Sequence, residues 1–421
     1  MAKKNEMKKV VGEFNLLGTV KVNDYSFDID KVSASGWKGS KAKLYIDCGE
    51  SGDIYCETPN SGYFPSKNEE DDEKGSKTEI FAHGMKASDN DPKKLIDDYK
   101  NKIEIKWEDR FDEEILETLG NNCFSKGALE VDTKGKTVLE KFLTPYDLVT
   151  YLQSNLEDGQ VVKVSGKLVY SIYDDTPQIK KEIEYIGLSG VKLTEKEKED
   201  GVLLSSKFYA KFSQTMYVTK ESLGKYDKEK QSFPVEAYVV DYVGKVTQNN
   251  ETKKIGKNAC FKVNYQLPLL DRKPEILAKL ATLMFGIKKS TEMNQLTVDG
   301  IIAKAGGADT TLTLEELPQD IQELVELGAY TEEEAIEKVV GKKSRAKEDF
   351  LILKPQVKLV GDDDDKTPVV QIIKGKFTPD DIVTYQMLIN EAFGESEEDY
   401  DAESDVEDDE EMARLLAEME S

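Results

Sequence analysis

Residues Gly159–Leu188, GQVVKVSGKLVYSIYDDTPQIKKEIEYIGL, decide the fold class. Val162, Val164, Leu168, Tyr170 and Ile172 alternate with Lys163, Ser165, Lys167 and Tyr173, the period-two mark of a strand with one packed and one open face. YDDTPQ sets Asp and Pro between two runs rich in β-branched residues, so the spacing predicts a hairpin rather than one long element. Gly166 inside the first arm predicts a bulge or sharp coil. The open face carries lysine and tyrosine in a chain whose formal charge is -25. A cationic, aromatic face on so acidic a chain needs a ligand to explain it.

Upstream of the hairpin, strands are expected near 15–22, 25–32, 41–48, 53–58, 77–82, 102–107, 124–131 and 136–143, with KLYIDCGESGDIYCE folding back at its ESGD tip. TPYDLVTYLQSNL then reads as a helix, with Thr144 as N-cap, Pro145 at the first helical position and Asp147 in the first turn. Strands, one helix and two closing arms fit a small Greek-key barrel of the OB type. Downstream, KFYAKFSQTMYVTK opens a second round, its alternation placing Phe208, Phe212, Met216 and Val218 inside and Tyr209, Lys211 and Tyr217 outside. Strands at PVEAYVVDYVGKV and ACFKVNYQLPLL follow, then a helix from Pro274 to Phe285 stopped by Gly286. The strand QLTVDGIIAKAG, a helical pair over about 311–345, and the strands DFLILKPQVKLV and PVVQIIKGKF complete the round. The expected class is mainly β with inserted helices (α+β), as tandem OB-like Greek-key barrels over 1–195 and 205–393 with a disordered acidic tail over 394–421. The echo between TPYDLVTY at Thr144 and TPDDIVTY at Thr378 supports two related modules.

The tail holds half the net charge. From Glu395 to Ser421 there are 14 acids and one base, Arg414, too much charge and too little apolar surface to repay the entropy of ordering. Four scattered cysteines without a CxxC pair, and no signal-peptide pattern, point to a reducing, cytoplasmic setting. No apolar run approaches the roughly 18 residues of a membrane span. Catalytic patterns fail in turn: the single histidine, His83, has no evident Ser or Cys partner, and the GKT at Gly135 lacks the P-loop glycine where Glu130 stands. His83 with Cys48, Cys56 and Cys123 lacks zinc-ligand spacing. No enzyme, metal or cofactor is expected.

The positive signal is lysine interleaved with aromatic residues on strand faces, the pattern by which OB barrels stack bases and track phosphates. The candidate nucleic-acid residues are Trp37, Lys38, Tyr55, Lys163, Lys167, Tyr173 and Lys181 in the first half. In the second half they are Tyr209, Lys211, Tyr217, Tyr238, Tyr242, Lys262 and Tyr265. In the tail, Met412, Leu415, Leu416 and Met419 fall at i, i+3, i+4 and i+7, one stripe of a partner-binding helix.

Two OB-like modules followed by an acidic tail resemble the bacterial and bacteriophage single-stranded DNA-binding proteins. The resemblance implies a non-catalytic protein that coats single-stranded DNA in replication or recombination, encoded by a phage and acting in the host cytoplasm. It also implies a tail that competes with DNA for the groove and recruits a helicase, primase or polymerase. The tail here ends in MARLLAEMES rather than on a terminal aromatic, which leaves the partner open. The main alternative is an acidic protein–protein adaptor or virion component without DNA binding. A more distant one is a nuclease or polymerase accessory that uses clustered carboxylates with magnesium.

Overall fold

The computed structural model describes residues 6–65, 79–88, 91–119, 124–173, 176–248, 251–304, 348–360 and 367–394, with single positions at 319, 322 and 325. The acidic tail, the acidic runs near 70 and 361–366, and the expected helical pair over 311–345 apart from the helical positions Gln319, Gln322 and Val325, lie outside the described residues.

The first half contributes β1 (Gly12–Lys21), β2 (Phe27–Val32), β3 (Lys38–Asp47), β4 (Asp53–Glu57) and β5 (Ser61–Tyr63). A separate hairpin, β6 (Glu79–Ser88) and β7 (Asp91–Lys106), leads to the short helix α1 (Glu113–Thr118) and to β8 (Ser125–Ala128) and β9 (Glu140–Phe142). Helix α2 (Pro145–Asn155) precedes the hairpin β10 (Val161–Tyr173) and β11 (Thr176–Leu188). After α3 (Glu195–Glu199) come β12 (Tyr209–Val218), β13 (Ser232–Gln248), β14 (Glu251–Pro268), α4 (Pro274–Phe285) and β15 (Met293–Lys304). The chain closes with β16 (Glu348–Pro355), β17 (Val357–Val360), β18 (Thr367–Val370), β19 (Ile372–Phe377) and α5 (Tyr385–Phe393).

Five strands of the first half pair in a ring. β1 pairs β3, β3 pairs β4, β4 pairs β11 in parallel, β11 pairs β10, and β10 returns to β1. The second half repeats the pattern: β12 to β13 to β14, then β16 in parallel, then β15, then back to β12. In each ring the third strand lies parallel to the fifth, and a helix, α2 or α4, stands between the third and fourth.

Sequence chemistry accounts for the local geometry. At the hairpin's expected irregularity the register shifts between Ser165 and Gly166, and a Cβ on Gly166 would sit 1.9 Å from the Glu182 carbonyl oxygen, so only glycine fits that approach. Helix α2 starts where Thr144 Oγ1 accepts from the Asp147 amide, and it buries Leu148, Val149 and Leu152, worth about 1.5–3 kcal/mol each. The echo at Thr378 builds the same local chemistry, with Asp381 accepting from the Thr378 amide at 2.9 Å. It opens a 3-10 turn beyond the second ring, however, and α4 is the counterpart of α2. The echo is therefore shared capping chemistry at non-equivalent positions.

The rings do not stand apart. β1 and β12 pair antiparallel from Gly12–Gln214 to Leu17–Tyr209, so β10, β1, β12 and β15 form one sheet over one continuous apolar core. Each half also fills a gap in the other. β12 and β13 pair only at Tyr217–Tyr238, and the N-terminal segment lies between them, with the Val10 amide donating to Val240 and the Thr215 amide to Val11. Lys9 pairs at 2.6 Å with the buried Asp241. Reciprocally, β4 and β11 pair only at Glu57–Glu182, and Glu348 from β16 enters there, accepting from the Tyr55 amide at 3.2 Å and from Lys181 Nζ.

Candidate nucleic-acid interface

The outer face of β1 forms a track. Phe14, Leu16, Gly18 and Val20 point into the core, so Glu13, Asn15, Leu17, Thr19 and Lys21 face outward along about 30 Å of strand. Register sets their neighbours. Glu13 lies between Lys167 and Ser213, Asn15 between Ser165 and Lys211, and Leu17 between Lys163 and Tyr209. At the far end Lys21 lies beside Tyr45, which lies beside Tyr55.

This arrangement joins residues from both halves. Lys163, Lys167 and Lys211 are exposed, and Tyr209 is half-buried, its hydroxyl donating to Asn15 Oδ1 at 3.2 Å. Lys211 Nζ stands 4.3 Å from the centre of the Tyr209 ring, a cation–π contact that holds charge beside a flat surface. Lys167 pairs with Glu184, whereas Lys163 and Lys211 make no ion pair among the described residues. Burial and the nearby Cys48 push the Tyr209 phenol above its ordinary value, so it is neutral near pH 7. Chemically, the face offers exposed cations and an uncharged ring.

The two ends of the track differ. At one end Tyr45 is 46% exposed and its ring centre lies 5.3 Å from that of Tyr55, tilted by 57°. The lysines there are already engaged: Lys41 with Glu57, Lys43 with Asp28 and Lys21 with Asp53, each at 2.6–2.7 Å. Tyr55 donates to Glu57 at 2.6 Å, and burial together with that bond raises its phenol. Burial alone would raise the Glu57 carboxyl, but bonds from Lys41 and Tyr55 hold it below its ordinary value. At the other end is a hollow of about 530 Å³ lined by Lys8, Val11, Thr215, Tyr217, Lys376 and Phe377.

Three expected site residues are corrected. Tyr217 points outward by alternation but is 3% exposed, because the N-terminal segment and β19 cover it; its ring meets Phe377 edge-on at 5.4 Å. Tyr265 shares parity with Phe261, Val263 and Leu267, not with Lys262, and lies inside the second ring. Lys181 shares parity with Ile183 on the core side of β11, and its ammonium is spent on Glu348.

The remaining expected residues lie off the track. Trp37 lies against Gly39, where a Cβ would come within 2.1 Å of the indole, and Lys38 sits beside Tyr63. Tyr238, Tyr242 and Lys262 belong to the β13–β14 arms. Tyr242 is 58% exposed, Tyr238 is half-buried beside Lys262, and Lys262 pairs with Glu236. That bond raises the Lys262 ammonium above its ordinary value. The side chain of Tyr173, and Met412, Leu415, Leu416 and Met419, lie outside the described residues. Sequence reasoning missed Asn15, Tyr45, Lys8 and Lys376. Tyr45 was within reach, since KLYID alternates; the hollow has no local signal, being assembled from four separate segments.

Among known proteins, no curated protein matches the chain. Two solved structures of the single-stranded DNA binding protein from Thermus aquaticus align with 70% of it. The wild-type protein does so at 10% identity and a TM-score of 0.26, with 86% of its own chain covered. A deletion variant gives 11%, 0.28 and 88%, and such scores are too low to establish a shared fold. The family described as YorF matches residues 68–304, more than half of the 421 residues. The chain belongs to the YorF family.

Proposed function

We propose that this protein binds single-stranded DNA along the outer face of β1, without catalysing a reaction. The observation that carries the reading is the meeting of Lys163, Lys211 and Tyr209 on the two strands flanking β1. A ring stacks any base and a lysine neutralises any phosphate, so the expected binding is indifferent to sequence. The ring order, with parallel third and fifth strands and a helix before the fourth, supports the OB-type Greek-key reading of both halves. In OB folds the second and third strands present oligonucleotides, and here those strands bring Tyr45 and Tyr55 to the end of the track.

In the wider role, the protein coats and protects strands during phage replication or recombination, and its acidic tail gathers a replication enzyme. Titrating the full chain with fluorescent oligo-dT and with duplex at several salt concentrations tests the reading. Neutralising about five phosphates gives a slope of log K against log salt near -3.5. Equal affinity for duplex, or no dependence on salt, would overturn it in favour of the protein–protein adaptor.

A further inference from the structure

Helices α2 and α4 hold the same place in the two rings, yet their outer sides differ. α2 exposes Thr150, Gln153 and Ser154. α4 buries Leu277, Ala281, Met284 and Phe285 on one side, while on the other Ile276 and Leu283 are 54% and 58% exposed. With the half-buried Leu280 between them they fall at i, i+4 and i+7, a second apolar stripe on one helix. Exposed Lys273 and Lys279 lie at the start of the helix and within it, and Lys288 and Lys289 follow its end, Lys289 paired with Glu292 at 3.0 Å. From Asp271 to Glu292 five bases meet three acids, a positive segment in a chain of charge -25.

Beyond Gly394 the sequence has the complementary properties: 14 acids to one base, and a stripe of Met412, Leu415, Leu416 and Met419. Such a segment is too short to hold a helix alone in water. We propose that the outer face of α4 is the docking surface for this chain's own segment Met412–Met419. The apolar stripe lies on Ile276, Leu280 and Leu283, and the acids that precede it face the lysines. The Ala392 carbonyl at the end of α5 accepts from Lys253 near the start of β14, and α4 begins at Pro274, past the other end of that strand, at most about 50 Å along it. The 17 residues between Gly394 and Met412 span up to about 60 Å when extended, so an extended linker brings docking within one chain into reach. While docked, the stripe is withheld from any other partner. The proposal is independent of the single-strand reading.

The test uses the full chain with a photoreactive benzoylphenylalanine in place of Ala417. Cross-links are mapped by mass spectrometry in a mixture of isotopically light and heavy protein. The expected result is cross-linking within single chains to residues 272–289. Ile276→Lys with Leu283→Lys should lower the yield about tenfold or more, and Leu415→Ala with Leu416→Ala should do the same. Both α4 positions are solvent-facing, and circular dichroism checks that the variant is folded. Cross-links scattered elsewhere, cross-links only between chains, or an unchanged yield in the α4 variant would overturn the proposal.

Discussion

Replacing Lys163 and Lys211 by glutamine separates charge from shape on the track. Both lysines are exposed, and neither makes an ion pair among the described residues, so their removal leaves no carboxylate stranded. Each phosphate contact on a single strand contributes about 0.7 to the slope of log K against log salt, so the double variant should bind with a slope shallower by about 1.4. Relative to 1 M salt, where the electrostatic part vanishes, that difference is about a 25-fold loss of affinity at 0.1 M. Tyr209→Ala should behave differently, costing about 1–3 kcal/mol at every salt concentration, since stacking releases no counterions. Lys262→Gln is the control: Lys262 is held by Glu236 on the β13–β14 arms and should leave the slope unchanged. Fluorescence anisotropy with labelled oligo-dT between 0.05 and 0.5 M salt (about a decade) reads all three. An unchanged slope in the double lysine variant, or an equal change in Lys262→Gln, would refute the track.

Lys181→Met should destabilise the fold by about 3–5 kcal/mol in urea melts, because it strips the Glu348 carboxyl of its partner in the gap between β4 and β11; pairing it with Glu348→Leu should recover part of the loss. Burial pushes the Cys56 thiol up to about 12 and raises Cys48 and Cys260 as well. All three should resist thiol reagents at pH 7–8 until the protein is unfolded, as peptide mass spectrometry will show. Glu57 has a folded value below its ordinary 4.5, so its contribution to stability is complete above that value and is lost as pH falls through the folded one. Glu57→Gln should accordingly flatten the acid limb of the stability profile measured by urea melts below about pH 5. Deleting Glu395–Ser421 should raise affinity for oligo-dT at low salt, with the gain shrinking as salt screens the charge.

How far the fold was legible depends on whether a pattern was local. The hairpin at 159–188 was readable because one face is buried and the other open, and α4 because Pro274 begins it and Gly286 follows its last residue. Tyr265 and Lys181 were legible and misassigned: parity alone puts each with its core neighbours. Tyr217 was not legible in this way. Alternation states which side a ring leaves the strand, not what later covers that side, and here the cover comes from residues 6–11 and from β19, far away in sequence. The track was half-legible. Lys163, Lys167, Tyr209 and Lys211 were picked from two strands that the sequence separates by some forty residues, but only the β1–β12 pairing brings them together.

That pairing bears on how a two-ring chain would hold a strand. Modules joined by a flexible linker bind independently and gain only through effective concentration. Here β1 and β12 are hydrogen-bonded neighbours, and the rings exchange plugs: Met7–Val11 fills the second, Glu348 the first. Removing either half would leave the other with unpaired backbone donors at its gap, the Thr215 amide in one case and the Tyr55 amide in the other. The face carrying Lys163, Tyr209 and Lys211 therefore exists only in the joined body, and its spacing is fixed by strand register rather than by a linker. A ligand on that face pays no entropy for bringing two modules together, because folding has already done so. The acidity of the chain then has a physical place. At the Tyr45 end of the track, carboxylates at Asp28, Asp53 and Glu57 tie down the lysines, and on the proposed reading the central pair, Lys163 and Lys211, is left for the phosphates.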